Sequence, residues 1–252
     1  MESSELNFWD HLDVLRGCLW RILLAVVIGG VGAFCMKEQV FDVVLAPYHN
    51  DFITYRLLGA SSSSELIGGM INTGLAEQMM IHLKVALFVG ILFASPYIVY
   101  VLFGFISPAL YENERRYSVR LTLSAYVMFI LGLLINYLMI FPLTVRFLGN
   151  YQVSPDIENM LTISSYIDTL LMMSLVFGII FEIPVLSYLL ARFGLLRKEW
   201  MTKFRRHAIV AILIVAAVIT PTADMFTLAI VSLPIWLLYE LSIIIVKYAE
   251  KN

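Results

Sequence analysis

Long apolar runs separated by shorter polar stretches fill most of this chain of 252 residues. A helix needs about 20 apolar residues, at about 1.5 Å each, to cross the hydrocarbon core of a bilayer. The pattern therefore predicts an all-α polytopic membrane protein with six transmembrane helices, which form a single integral membrane domain over residues 1–252. The predicted spans are residues 19–36, 79–104, 121–141, 166–190, 208–220 and 225–246.

The last two predicted spans form a short hairpin. Residues 208–220 hold only thirteen positions, which is roughly 20 Å of helix against a core of about 30 Å. The chain turns at residues 221–224 and returns with Glu240 inside the final span. We expect such a hairpin to thin the bilayer locally or to lean on partner helices.

Small residues and a proline shape the first two spans. Ala25, Gly29 and Ala33 stand four residues apart, so one stripe of the first span should let another helix approach closely. Pro96 lies inside the second span and predicts a kink near Ser95, because proline removes a backbone hydrogen bond and crowds the preceding turn.

The polar stretches predict how the spans begin and end. Residues 7–21 mix apolar and charged positions at helical spacing, which predicts a surface helix leading into the first span. Residues 37–78 predict an extramembrane cap of short amphipathic pieces. Pro142 should end the third span, and turn residues predict an outer loop over 143–164. Ser165 and Asp168 match a capping box that would open the fourth span, so Asp168 is interpreted as a cap.

Composition and charge agree with the membrane class and predict its orientation. The chain is 60% hydrophobic and 14% charged, with a mean hydropathy of +0.85, whereas soluble domains average about 45–50% apolar and about 25% charged residues. If residues 192–206, residues 105–120 and both termini share one side, that side holds thirteen of the seventeen Lys and Arg residues. The positive-inside rule then predicts that the N-terminus and the C-terminus are cytoplasmic. The acidic N-terminus lacks the basic start of a cleavable signal peptide, so we expect the first span to persist.

One acid lies in the middle of the fourth apolar run. Glu182 is followed two residues later by Pro184, which should weaken the local hydrogen-bond ladder. A charged side chain at the centre of a span costs about 2.5–3.5 kcal/mol on insertion scales. Glu182 should therefore face protein or water, either in a hydrogen bond between helices or in a functional role.

A short polar island, residues 105–116, separates the second and third apolar runs. Ser107 and Pro108 predict the start of a helical turn. The island is either a topology signal beside a span or a recognition surface. Its charged residues are Glu112, Glu114, Arg115 and Arg116.

Sequence motifs for catalysis are absent. The chain has no Gly-x-Ser-x-Gly, no His-Glu-x-x-His and no phosphate-binding glycine loop. Its four histidines lack metal-site spacing, and Cys18 and Cys35 lie too far apart along one helix to bridge. We therefore predict no enzyme, no metal site, no cofactor and no nucleic-acid partner. A proton-coupled small-molecule carrier with Glu182 as its relay is an alternative, although no internal repeat is visible.

Six short motifs, taken in order, resemble the TatC family, the multispanning receptor subunits of the twin-arginine (Sec-independent) protein translocase. The resemblance covers nearly the whole length. The motifs are Phe8-Trp-Asp-His-Leu-Asp-Val-Leu-Arg16, Ala46-Pro47, Ser95-Pro96, the island from Phe105 to Arg116, Phe181-Glu-Ile-Pro-Val185, and Thr220-Pro-Thr-Ala-Asp-Met-Phe226.

The resemblance implies a receptor in the cytoplasmic (inner) membrane that binds twin-arginine signal peptides of folded cargo. It further implies TatA/TatB-type single-span partners, a homo-oligomer within the receptor complex and use of the proton-motive force. The family's signal-binding acid corresponds to Glu114, beside Phe105, and its buried acid to Glu182. Pro47, Pro96 and Asp224 correspond to structural or functional turns. We expect the apolar part of the signal to follow the kinked second and fourth spans towards Glu182.

Two positions depart from the family pattern. The second arginine-binding Glu of the N-terminal motif is replaced by Val14. Asp13 or Asp10 is then the candidate second carboxylate, with Arg16 in the same motif. A Gln one turn after the acid of the last outer loop is replaced by Leu228, so the partner-binding patch there is less polar and retains Thr220.

Overall fold

The computed structural model describes residues 8–49, 51–57, 69–106, 115–151, 154, 160–220 and 224–250, with backbone alone at 8–11, 103–106 and 115–120. Over these residues the chain is helical, without a strand. One isolated bridge pairs Ile71 with Thr162. The helices are α1 Phe8–Cys35, α2 Lys37–Leu45, a 3-10 turn Ala46–Tyr48, α3 Ile53–Leu57, α4 Glu77–Ile106, α5 Arg115–Ile135, a π turn Asn136–Ile140, α6 Phe141–Asn150, α7 Ile163–Ile180, α8 Ile183–Arg192, α9 Lys198–Lys203, α10 Arg205–Ile219 and α11 Met225–Ala249.

Five helical stretches of the described chain are long and apolar enough to cross a membrane. They are Leu12–Cys35, Glu77–Leu102, Leu121–Asn150, Ile163–Arg192 and Met225–Ala249. These confirm the helical, polytopic class and match five of the six predicted spans. The other predicted span, residues 208–220, corresponds to α10, whose 15 residues are fewer than a full crossing of about 20 requires. The sixth crossing and the orientation of the termini stay predictions.

The residues group into two compact units, Met1–Val40 with Met79–Tyr126, and Phe41–Gln78 with Val127–Asn252. In the first unit, α1 and α4 meet at glycines. A Cβ added at Gly29 would lie 3.1 Å from the Gly90 carbonyl oxygen, and one added at Gly90 would lie 2.6 Å from the Gly30 nitrogen. The close approach predicted from the small residues of the first span is thus confirmed, and Gly90 on α4 is its counterpart.

Helix α1 continues from the mixed residues of the predicted surface helix, 7–21, into the first span. Its described backbone runs without interruption from Phe8 to Cys35. No proline or glycine pair falls between its mixed N-terminal part and its apolar part, so the hydrogen-bond ladder has no cause to break there. The amphipathic start and the span are one helix.

The third span does not end at Pro142, and residues 143–150 are helix rather than loop. A π turn, Asn136–Ile140, widens the ladder and leads directly into α6, with Pro142 in its first turn. Pro142 has no amide to donate to a carbonyl group of the preceding turn. The carbonyl of Leu138, which an amide at position 142 would otherwise satisfy, instead accepts a hydrogen bond from the Thr54 hydroxyl. A side chain of α3 thus allows the helix to continue.

The fourth span begins three residues earlier than the predicted capping box. Thr162 is extended and is the N-cap of α7, and its hydroxyl accepts from the Ser165 amide at 3.3 Å. The extended backbone is fixed because the Ile163 amide donates to the Ile71 carbonyl at 3.1 Å. Asp168 is therefore an exposed residue within α7 and not its cap.

Helix α3 also holds the second unit together through Tyr55. This side chain is 1% exposed, and its hydroxyl lies 3.0 Å from the Pro47 carbonyl oxygen and 3.1 Å from that of Pro142. Arg146 lies 5.2 Å over the ring. Burial raises the pKa of Tyr55 to about 12, against a smaller lowering by Arg146. One hydroxyl thereby links the 3-10 turn to the start of α6.

Replacing Tyr55 by phenylalanine should lower the free energy of unfolding by about 1–3 kcal/mol, because the one hydroxyl that the Pro47 and Pro142 carbonyl groups share as a donor is lost inside the protein. Thermal unfolding of the purified chain in detergent measures this, with the exposed Tyr100→Phe as the control. The pKa of Tyr55 is raised on folding, so its contribution is complete below about pH 10, the unfolded value, and is lost as pH rises towards the folded value. A destabilisation that changes between about pH 6 and about pH 9 would contradict this account.

Candidate functional site

The residues predicted to bind a signal peptide fall partly outside the described structure. Glu114 lies in the segment 107–114, which the structure does not describe, and Phe105 and Asp10 are placed by backbone alone. Asp13 and Arg16 are exposed on α1. They stand three residues apart, so they share one face of the helix. Val14, which replaces the family's Glu, is 50% exposed, so nothing in the described packing requires an apolar side chain there.

Glu182 lies where the fourth span is broken. Phe181 and Glu182 form a turn between α7 and α8, and the Glu182 amide donates to the Ile179 carbonyl at 3.0 Å. Pro184 is in the first turn of α8 and has no amide for the carbonyl of Ile180. The proline-weakened ladder predicted from the sequence is thus observed as a break between two helices.

The carboxyl group of Glu182 lies partly inside the protein. Its Oε1 atom is buried and has no hydrogen-bond partner among the described residues. A buried acceptor without a partner costs about 1–3 kcal/mol. The hydrogen bond between helices, one of the two roles considered from the sequence, is therefore not made by this oxygen, and the acid is retained at a cost to stability.

A buried polar pair joins the third and fourth spans and escaped the sequence analysis. The Asn136 side-chain amide donates to the Ser174 hydroxyl at 2.9 Å, and the two residues are 0% and 4% exposed. Nearby, a Cβ at Gly132 would lie 2.6 Å from the Phe177 carbonyl oxygen, so α5 and α7 approach closely. An asparagine inside an apolar run was the available signal, because such residues commonly hydrogen-bond across membrane helices.

The turn between α10 and α11 contains the other predicted positions. Asp224 is the N-cap of α11, and its Oδ1 accepts from the Thr227 amide at 2.8 Å. Thr220 ends α10 and is 6% exposed, while Leu228 is half-buried. Phe226 stacks on Phe147 of α6 at 4.1 Å. The acid of this turn therefore has a clear structural role, and the aromatic stack fixes the turn beside the end of the third span.

Pro47 and Pro96 differ in their surroundings. Pro47 is buried in the 3-10 turn and its carbonyl faces Tyr55. Pro96 is exposed within α4, and the helix continues without interruption past it. The Ser95 hydroxyl donates to the Leu92 carbonyl at 2.7 Å. Groupings of His, Cys, Asp and Glu that would suit a metal do not occur among the described residues.

Comparison with known proteins identifies the family. The family model described as Sec-independent protein translocase protein (TatC) matches residues 10–234. The chain belongs to the TatC family. It is 34% identical to the Sec-independent protein translocase protein TatC of Desulforapulum autotrophicum, over 96% of this chain and 85% of that protein. Against the TatC protein of Aquifex aeolicus it is 32% identical, over 96% and 95% of the two chains.

A solved structure agrees with this assignment. The crystal structure described as the twin arginine translocase receptor TatC superposes with a TM-score of 0.78 and 33% identity, and the match covers 95% of this chain and 99% of that one. The resemblance inferred from the six motifs is thus confirmed. TatC membership makes the chain a multi-pass inner-membrane component of a protein translocase, rather than a catalytic enzyme.

Proposed function

We propose that this TatC-family chain is the signal-peptide receptor of a twin-arginine translocase, which exports folded proteins by means of the proton-motive force. The match along 95% of the chain to a structure described as a twin arginine translocase receptor carries this proposal. Its partners are twin-arginine signal peptides, TatA/TatB-type single-span subunits and further copies of itself. The relatives are translocase proteins, which favours this proposal over a small-molecule carrier.

Carboxylates bind the paired arginines in this proposal. A carboxylate accepts two parallel hydrogen bonds from one guanidinium, which is both strong and specific for arginine over lysine. Glu114 is the first such group, and Asp13 or Asp10 is the second. Asp13 is exposed on α1 with Arg16 one turn later on the same face, so its carboxylate is accessible to a peptide.

Crosslinking tests the proposal directly. A photoreactive residue at Asn113, beside Glu114, should form an adduct with a twin-arginine signal peptide in membranes and much less with a twin-lysine peptide. The matched control is a probe at Leu57 of α3, which is 82% exposed and is predicted to lie on the opposite side. Equal adducts at both positions, or equal adducts with both peptides, would refute signal recognition at Glu114.

The six-span topology is part of the proposal, and the contacts of α10 support it. The Arg205 guanidinium, at the start of α10, lies 2.7 Å from the Glu240 carboxylate on α11. Helix α10 has 15 residues, which matches the distance along α11 from Glu240 back to Met225. Helix α10 therefore runs beside the first part of α11. It carries the chain back from the level of Glu240 to the level at which α11 begins. We accordingly propose a short sixth crossing with both termini cytoplasmic.

The buried acid is proposed to serve export and not stability. Replacing Glu182 by alanine or glutamine should leave thermal stability unchanged or improved, because an unpartnered buried oxygen is removed or made neutral. Export of a folded twin-arginine reporter should nevertheless fall severalfold at equal protein level. Asp168→Asn, which alters an exposed acid on the same span, is the control. Normal assembly and export by both Glu182 variants would make the acid merely structural.

A further inference from the structure

A polar cavity of about 500 Å³ lies in the second unit, where two membrane-spanning stretches end. One stretch ends at Arg192 and the other at Ala249. Ligand sites commonly occupy about 300–1,000 Å³, so the cavity is large enough for a small polar group. Both spans end at its wall, which places it at the boundary between the bilayer and water. Its lining includes Arg192, Gly194, Arg197, Glu199, Ala249 and Glu250.

The backbone around the cavity is firmly held. Gly194 has φ +71° and ends α8, where the Leu195 amide donates to the Leu190 carbonyl at 2.9 Å. A left-handed glycine of this kind closes a helix C-terminus with little strain. On the opposite wall, the Glu250 carboxylate accepts from the Lys198 amide at 2.8 Å. The cavity is thus built on fixed helix ends.

The lining presents both signs of charge. The cations are two guanidinium groups, Arg192 and Arg197, and both side chains are exposed. Arg192 lies 6.0 Å over the Tyr188 ring. The anions are Glu199, which is exposed, and Glu250. A ligand that carries an anionic group and a cationic group close together would complement this lining.

The surroundings of the cavity suit the headgroup region of a membrane. Phe193, Trp200 and Phe204 are 39%, 52% and 53% exposed and are interleaved with the basic residues of the connection between α8 and α10. Tryptophan, such as Trp200, has an apolar body and a polar edge and is enriched at membrane interfaces. Basic side chains at such interfaces extend to phosphate groups while their stems remain in the apolar layer. The polar ligand that is most abundant at such a position is a phospholipid headgroup.

We propose that this cavity binds the headgroup of an aminophospholipid of the phosphatidylethanolamine class. Arg197, with Arg192, binds the phosphodiester, since a guanidinium matches phosphate oxygens with paired hydrogen bonds. Glu199 accepts from the primary ammonium group. The acyl chains lie along the exposed apolar surface of the adjoining spans. This lipid site shares no residue with the proposed signal-peptide site, and the proposal does not depend on it.

Native mass spectrometry of the full chain in detergent tests the proposal, with phosphatidylethanolamine and phosphatidylglycerol as competing probes. The wild-type chain should retain phosphatidylethanolamine in preference. Arg197→Gln should weaken its retention about tenfold, and Glu199→Gln should remove the preference over phosphatidylglycerol. Lys203→Gln alters an exposed cation that is not in the lining and should change neither. Thermal unfolding confirms that each variant is folded.

Two further measurements test which headgroup is recognised and whether the ligand comes from the membrane. Soluble glycerophosphoethanolamine should compete weakly, because it has the headgroup without the acyl chains; competition as strong as that of the lipid would indicate a free phosphoester and overturn the membrane source. An undiminished preference for phosphatidylethanolamine in Glu199→Gln would overturn recognition of the amine. Equal lipid loss in Arg197→Gln and Lys203→Gln would overturn the cavity as the binding site.

Discussion

Exchanging Glu114 for lysine is expected to abolish export of a folded reporter that carries a twin-arginine signal. The change removes the proposed arginine-binding carboxylate and places a cation opposite the guanidinium groups. Each hydrogen bond to a charged group contributes about 1.5–3 kcal/mol, so losing a bidentate pair should weaken signal-peptide binding by about 100-fold or more. Reporter activity in the compartment beyond the membrane, together with peptide affinity for the purified receptor, measures the effect.

The control for this exchange lies two residues away. Glu112→Lys makes the same charge change in the same polar island, so a general effect on topology or on local charge should appear in both variants. Export of a Sec-dependent reporter should continue in each. Unchanged twin-arginine export by Glu114→Lys, or equal loss in Glu112→Lys, would refute the specific role of Glu114.

Replacing Gly90 by alanine should have the largest effect on stability. The added Cβ would lie 2.6 Å from the Gly30 nitrogen and 2.6 Å from the Val26 carbonyl oxygen, and backbone atoms cannot move aside as a side chain can. Forcing the helices apart costs about 1–3 kcal/mol or more, in addition to the packing lost between α1 and α4. Thermal unfolding in detergent should show a clearly lowered midpoint, and the chain should accumulate poorly in cells.

The matched control is Gly32→Ala on α1. A Cβ at Gly32 meets nothing within 4 Å, and alanine is favoured over glycine in a helix by about 1 kcal/mol. This variant should be neutral or slightly stabilised. If Gly90→Ala unfolds at the same temperature as Gly32→Ala, the close contact of α1 and α4 at these glycines is wrong.

Pro184 and Pro142 were both predicted to disrupt a span, but only one of the two helices breaks. Pro184 marked a real weakening of the fourth span, because the helix breaks at Phe181 and Glu182. Pro142 was predicted to end the third span, yet the helix continues into α6. The difference is that Thr54, distant in sequence, donates to the carbonyl of Leu138. No local pattern records a donor supplied from 84 residues away.

The residues of the candidate site were likewise found partly from the sequence, whereas their contacts came only from the structure. The motifs identified the family and led to Glu182 and Asp224, because acids in apolar runs and in turns stand out in a membrane sequence. The N-cap role of Asp224 and the unpartnered oxygen of Glu182 emerged only from the contacts. The pairing of Arg205 with Glu240 likewise requires α10 and α11 to be placed side by side.

By itself, the sequence determined the membrane class, the helical architecture, five of the spans and the TatC family, since each depends on local hydrophobicity or on short motifs in order. The tertiary structure alone decided where α7 begins, how the third span passes Pro142, which helix meets Gly29, and how the ends of two spans form a charged cavity. The physical reason is that hydrophobicity is a property of single residues. A hydrogen-bond partner or a close backbone contact belongs to pairs of residues that only the fold brings together.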